Sequence, residues 1–134
     1  MFFVVKRATL LIPSGPPSDP NRKHLFICLT DPAGVAKETL MVSVSTLRDG
    51  FPVDETCRLF EGDHSFIKRN SYVDYRSARI IAAEKLVKGV NQGQLIAMDA
   101  LESSVFARVC YGLMQSPHTA PKLLAFYLAA TGND

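Results

Sequence analysis

The sequence predicts a mixed α+β chain, mainly β, with its strands first and its helices last. Three observations predict it. Between Phe2 and Ile81, short runs rich in branched and aromatic residues are broken by Pro, Gly and Asp at ~10-residue spacing, as in a sandwich or barrel. From Asp99 onward the apolar residues recur every fourth position instead. The chain has 134 residues, 47% of them hydrophobic, which is enough to bury one core and too little for two. A single domain over 1–134 is therefore expected, with the β part over 1–82 and C-terminal helices over 99–131 packed on it.

The strands follow in order. Phe2 to Ile12 is expected to be one strand with a bulge at Lys6-Arg7. Residues 13–20, Pro-Ser-Gly-Pro-Pro-Ser-Asp-Pro, hold four prolines and cannot pair in a central strand, since proline has no N–H to donate. They form a long loop, and long loops in compact domains often carry function. His24 to Thr30 is nearly all apolar and is expected to be a strand buried on both faces. Asp31-Pro32-Ala33-Gly34 turns the chain. In Thr39 to Thr46, Leu40, Val42 and Val44 share one face and Ser43 and Ser45 the other, so one side is expected to be polar. Cys57–Phe60, His64–Ile67, Ser71–Tyr75 and Arg79–Ile81 are further short strand candidates.

The helices rest on their period. Asp99 followed by Glu102 has capping-box spacing. Leu101, Val105, Val109 and Leu113, widened by Phe106 and Cys110, form an apolar stripe that ends before Pro117. Thr119 is placed to cap a second helix, with Pro121 in its first turn and Gly132 as its stop. Leu123, Leu124, Phe126, Tyr127 and Leu128 give that helix more apolar surface than one core stripe needs, which suits an oligomer contact.

Composition removes several classes of function. A formal net charge of +2 does not fit a protein that coats DNA, although a local basic patch for RNA remains open. Three separated cysteines, Cys28, Cys57 and Cys110, point to a reducing cytoplasm and not to a disulfide framework. The apolar run Phe2–Val5 meets Lys6-Arg7 at once, too short for a signal peptide, and no run approaches the ~20 residues of a membrane span. The histidines His24, His64 and His118 and the cysteines lack the close spacing of a zinc site, so no metal is expected. Glycine patterns for nucleotides and a Gly-x-Ser-x-Gly elbow are missing, so no cofactor is expected either.

What remains is polar and basic groups at strand ends: Arg22, Lys23 and His24; Ser45, Thr46, Arg48 and Asp49; Glu61, Asp63 and His64; Lys68 and Arg69 followed by Tyr72 and Tyr75. Metal-free RNA cleavage uses such groups. A base takes the 2′-hydroxyl proton, an acid protonates the leaving 5′-oxygen, and fixed cations stabilise the charge growing on phosphorus. Histidine has a suitable pKa, which makes His64, or Asp63 beside it, the candidate for proton transfer, with a hydrogen-bonded structural histidine as the alternative reading. Lys23, Arg48, Lys68, Arg69 and Tyr72 are the expected RNA-binding residues, because aromatics beside cations hold unstacked bases.

The order of these segments resembles the PemK/MazF-like toxins of toxin–antitoxin modules, over roughly residues 20 to 116. Lys23 to Thr30 looks like the basic residue and second strand of that family. Leu40 to Thr46 resembles its third strand, which ends in hydroxyl residues, here Val44-Ser45-Thr46. Tyr72 to Ile81 looks like a later strand with its basic residue, and Gly93-Gln94-Leu95 is similar to the Gly-Arg-Leu before the final helix. The resemblance implies a small SH3-like, PemK-like antiparallel β-barrel, a homodimer, a cognate antitoxin partner, and metal-independent cleavage of single-stranded RNA. It implies catalytic roles near Arg22 and at Ser45 or Thr46. The chain departs from the family in opening Phe2-Phe3-Val4-Val5 where Gly-Asp-Ile is usual, in having Lys23-His24 for Arg-Pro, and in extending beyond Thr119. These departures leave open a non-catalytic protein-binding module, or a degenerate toxin, on the same barrel.

Overall fold

The structure, a computed structural model, describes residues 1–132. Residues 133 and 134, the end of the expected single domain, lie outside the described residues. The elements are β1 (Thr9–Pro13), β2 (Lys23–Cys28), β3 (Glu38–Thr46), β4 (Arg58–Leu59), β5 (Ser71–Ala82), α1 (Ala83–Asn91), β6 (Ile96–Met98), α2 (Ser103–Gln115) and α3 (Pro121–Ala130). The strands form one curled antiparallel sheet, a half-barrel, in the order β4-β5-β3-β2-β1-β6. The class is thus mixed α+β, with the sixth strand supplied from beyond residue 82. Among the described residues no helix is long and apolar enough to cross a membrane.

Both faces of the sheet are covered. On one, Leu25, Ile27, Leu40, Val42 and Val44 pack against Val105, Val109 and Leu113 of α2 and Leu123 and Tyr127 of α3. On the other, Leu10, Phe26, Cys28 and Met41 pack against Val4 and against Leu86 of α1. This second layer corrects the expected polar side of β3. Met41 is fully buried, because the N-terminal segment and α1 pack against it, and Ser43 is only 5% exposed. The helix α1 escaped the sequence reading: its apolar stripe, Leu86, Val87 and Val90, is only two turns long.

Three strand assignments change. The segment before Thr9 is not a strand, since Arg7 turns the chain at φ +78°. The turn is held by Arg7 N–H on the Cys28 carbonyl at 2.9 Å and by Arg7 Nε on the Leu101 carbonyl at 2.8 Å. Residues 64–67 form turns. Ser71–Tyr75 and Arg79–Ile81 are one long strand, β5, interrupted by a bulge. Met41 faces Arg79 while Ser43 faces Asp74, so two steps along β3 match five along β5. Such an insertion bends and twists the strand, which helps curl the sheet.

The helices start differently from the expectation. The carboxylate of Glu102 accepts from Ser104 N–H (3.0 Å) and Val105 N–H (3.2 Å) and caps α2. Asp99 instead accepts from the Ser65 hydroxyl at 3.2 Å. At α3, Ala120 is the cap residue, Pro121 opens the helix, and the Thr119 hydroxyl donates to the Leu113 carbonyl at 2.8 Å. The helix α2 sits close on β5, where Tyr75 Oη donates to the Val109 carbonyl at 2.7 Å.

Candidate functional site: a cationic furrow at the end of β3

Antiparallel pairing gathers the site. Leu25 opposite Val44 sets the start of β2 beside the end of β3. Thr46 opposite Ser71 and Ser45 opposite Tyr72 set the start of β5 on the other flank. There a cavity of about 230 Å³ is lined by Arg22, Lys23, His24, Ser45, Thr46 and Arg48, with Val44 and Phe66 as its apolar part. A second cavity, about 250 Å³, shares Val44, Ser45, Thr46 and Phe66 and adds Lys68 and Arg69. The two make one furrow with five cations, and neither lining includes an Asp or Glu among the described residues. Low-dielectric walls lined with one sign of charge focus the field and draw in anions.

The proline-rich loop positions Arg22. Ser14 N–H donates to the Arg22 carbonyl (2.8 Å), and Arg22 N–H to the Asp19 carbonyl (3.2 Å). The closure needs Gly15, because a Cβ there would lie 1.9 Å from the Asp19 carbonyl oxygen. The guanidinium of Arg22 rests 3.3 Å from Asp19 Oδ2, an exposed pair that a phosphate can displace.

His24 lines the furrow, although the sequence analysis gave it no catalytic role. The Ser14 hydroxyl donates to the Ile12 carbonyl at 3.0 Å and lies 2.6 Å from His24 Nδ1. With the hydroxyl proton on Ile12, Nδ1 carries the ring proton and donates to Ser14, leaving Nε2 as a lone pair. Burial and the neighbouring Arg22 charge lower the pKa of His24, with Asp74 opposing them. Its membership in the run Arg22-Lys23-His24, beside a long loop, was the available signal.

His64 lies elsewhere. It is 6% exposed. Phe66 N–H donates to its Nδ1 at 3.0 Å, and its Nε2 is 2.8 Å from the Asp99 carbonyl and 3.1 Å from Thr9 Oγ1. Both ring nitrogens are engaged, so the ring laces the chain after β4 to β1 and to the end of β6. Asp63 is also structural, accepting from Phe60 N–H at 2.8 Å and pairing with Arg108 at 2.9 Å. The structure therefore places His64, a catalytic candidate of the sequence, outside the furrow and within a buried hydrogen-bond network. Replacing His64 by Ala strands buried partners and is expected to cost about 1–3 kcal/mol in urea unfolding.

Tyr72 lies outside the furrow, in a neighbouring cavity of about 370 Å³ with Asp54, Asp74, Arg76 and His118. Burial opposes the charge on Asp54, but hydrogen bonds from Ser116 and Thr56 outweigh it and hold the carboxyl below its usual range. Among the described residues no three His, Cys, Asp or Glu side chains are grouped to hold a metal ion.

The fold and this furrow define a small α+β protein with a cationic cleft at the end of a curled sheet. No protein-family model matches the chain, and no curated protein matches it in sequence.

Proposed function

We propose that the chain is a metal-independent endoribonuclease acting on single-stranded RNA, of the PemK/MazF-like toxin type, on an SH3-like barrel. The observation that carries the reading is the meeting of Arg22, Lys23 and His24 with Ser45, Thr46 and Arg48 around one cavity. His24 Nε2 takes the proton of a 2′-hydroxyl. The 2′-oxygen attacks phosphorus, Arg22 stabilises the added charge, and Ser45 and Thr46 orient the phosphate. The 5′-oxygen leaves with a proton from solvent, giving a 2′,3′-cyclic phosphate and a 5′-hydroxyl. Lys23, Arg48, Lys68 and Arg69 hold the flanking phosphates. The natural setting of such an enzyme is a cytoplasmic homodimer held in check by a cognate antitoxin.

Incubation with mixed-sequence RNA in the presence of a chelator is expected to yield discrete fragments with these ends. Intact RNA, together with normal growth on induced expression, would overturn the reading. The pH profile gives a separate test. The neutral form of His24 is the active one, so cleavage rises with pH and levels off at a midpoint below 6.5, the ordinary histidine value. His24→Gln removes that limb. Folding follows the same sign. A lowered folded pKa means the unfolded chain binds more protons just below 6.5, so stability falls as the pH drops through that window.

One observation favours a second reading, a non-catalytic protein-binding module. A groove of about 590 Å³ between the β4 edge and α2 is lined by Cys57, Phe60, Ala107 and Tyr111, among others. Phe60 and Tyr111 are 45% and 63% exposed. A stable protein complex from cell extract, lost on Tyr111→Glu and accompanied by no RNA cleavage, would favour that reading.

A further inference from the structure

Beside the furrow, the cavity holding Tyr72 has a different chemistry. Asp54 and Asp74 face it together with Arg76 and His118, so carboxylates stand where a phosphate-binding surface has none. Two geometric links join it to the furrow. Ser45, in the furrow, is the cross-strand partner of Tyr72. A further cavity of about 490 Å³ shares Arg48 with the furrow and Pro52 and Val53 with this one. The charge of Asp74 is also felt at His24.

An RNA strand following this path brings a base, not a phosphate, to the acidic wall. An ionised carboxylate only accepts hydrogen bonds, so it selects a group rich in N–H donors. Asp54 is already engaged by Thr56 and Ser116. Among the described residues Asp74 accepts only the Ser77 hydroxyl, at 2.6 Å on Oδ2, and keeps further acceptor capacity. Among the RNA bases, guanine alone sets two donors side by side, N1–H and the N2 amino group. Uracil offers one donor flanked by acceptors, and adenine and cytosine offer an amino group beside an acceptor. The volume, about 370 Å³, lies within the ~300–1,000 Å³ of small-molecule sites.

We infer that this cavity is a guanine-recognition subsite for single-stranded RNA, with Asp74 accepting from N1–H and the N2 amino group and Tyr72 stacking on the base. The inference rests on the RNA reading of the furrow and adds the identity of the base.

Three fluorescein-labelled hexaribonucleotides test it by anisotropy: all uridine, the same with one central guanosine, and the same with inosine, which lacks the N2 amino group. The guanosine hexamer is expected to bind about tenfold more tightly than hexauridine, with most of that gain lost for inosine. Asp74→Asn, checked for folding by thermal melting, is expected to erase the preference while hexauridine binds as well as before or better. The inosine comparison reads the same contact in the unaltered protein, so a misfolded variant does not blunt the test. Equal binding of guanosine and uridine hexamers, or an undiminished preference in Asp74→Asn, overturns the subsite and leaves the furrow standing. Failure to bind any of the three overturns the furrow reading and the subsite with it.

Discussion

Arg22→Ala is expected to lower RNA cleavage by about 10²–10³-fold, the usual effect of removing one group that stabilises transition-state charge. Growth arrest on induced expression is expected to disappear with it. Stability is expected to change by no more than ~0.5 kcal/mol, since the side chain is half exposed and its ion pair with Asp19 lies at the surface. Binding responds less than cleavage. Each phosphate contact to a single strand contributes about −0.7 to the slope of log affinity against log salt, so the variant should lose about that much slope. Arg22→Lys retains the charge but not the planar fork, and is expected to recover binding more fully than cleavage. An Arg22→Ala protein that still arrests growth would move the phosphate-stabilising role to another cation of the furrow, with Arg48 the first to test.

A large effect on stability is also expected away from the furrow, at Gly112. This buried residue of α2 lies against Tyr75, and a Cβ there would stand 2.2 Å from Tyr75 Oη, 2.9 Å from Cζ and 3.2 Å from Cβ of Cys57. Tyr75 has no room to yield, being fully buried and donating to the Val109 carbonyl. Glycine within a helix is ordinarily a cost of about 1 kcal/mol relative to alanine, so its presence here is explained by the approach of the ring. Gly112→Ala is expected to destabilise by about 1–3 kcal/mol in urea unfolding, the overpacking penalty outweighing the propensity gain. Tyr75→Phe removes the nearest atom. It should cost about 1 kcal/mol in the parent and less in the Gly112→Ala background, and the difference measures the clash directly. A Gly112→Ala protein as stable as the parent would mean that α2 moves off the sheet easily.

Much of the fold was legible because it is local. The alternation of Leu40, Val42 and Val44 marked β3, the four-residue recurrence from Leu101 to Leu113 marked α2, and the prolines of 13–20 marked the loop that carries Arg22. The furrow residues were legible in part for the same reason, since hydroxyl and basic residues at strand ends can be read in one dimension. What local pattern did not carry was the turn at Arg7, which is imposed by contacts with Cys28 and Leu101, and the packing of α1 in one cluster with Met41.

The choice between histidines divides what each level decided. By itself the sequence determined the mixed α+β class, the chemistry available, and the grouping of cations and hydroxyls near the strand ends. Only the tertiary structure decided that His64 has both nitrogens engaged, by Phe66 and by the Asp99 carbonyl and Thr9, while His24 stands at the furrow with Nδ1 beside the Ser14 hydroxyl. The physical reason is that the proton position and pKa of a histidine are set by the partners that folding delivers. For Nε2 of His64 the partners come from 55 residues upstream and 35 downstream, a separation no local pattern encodes.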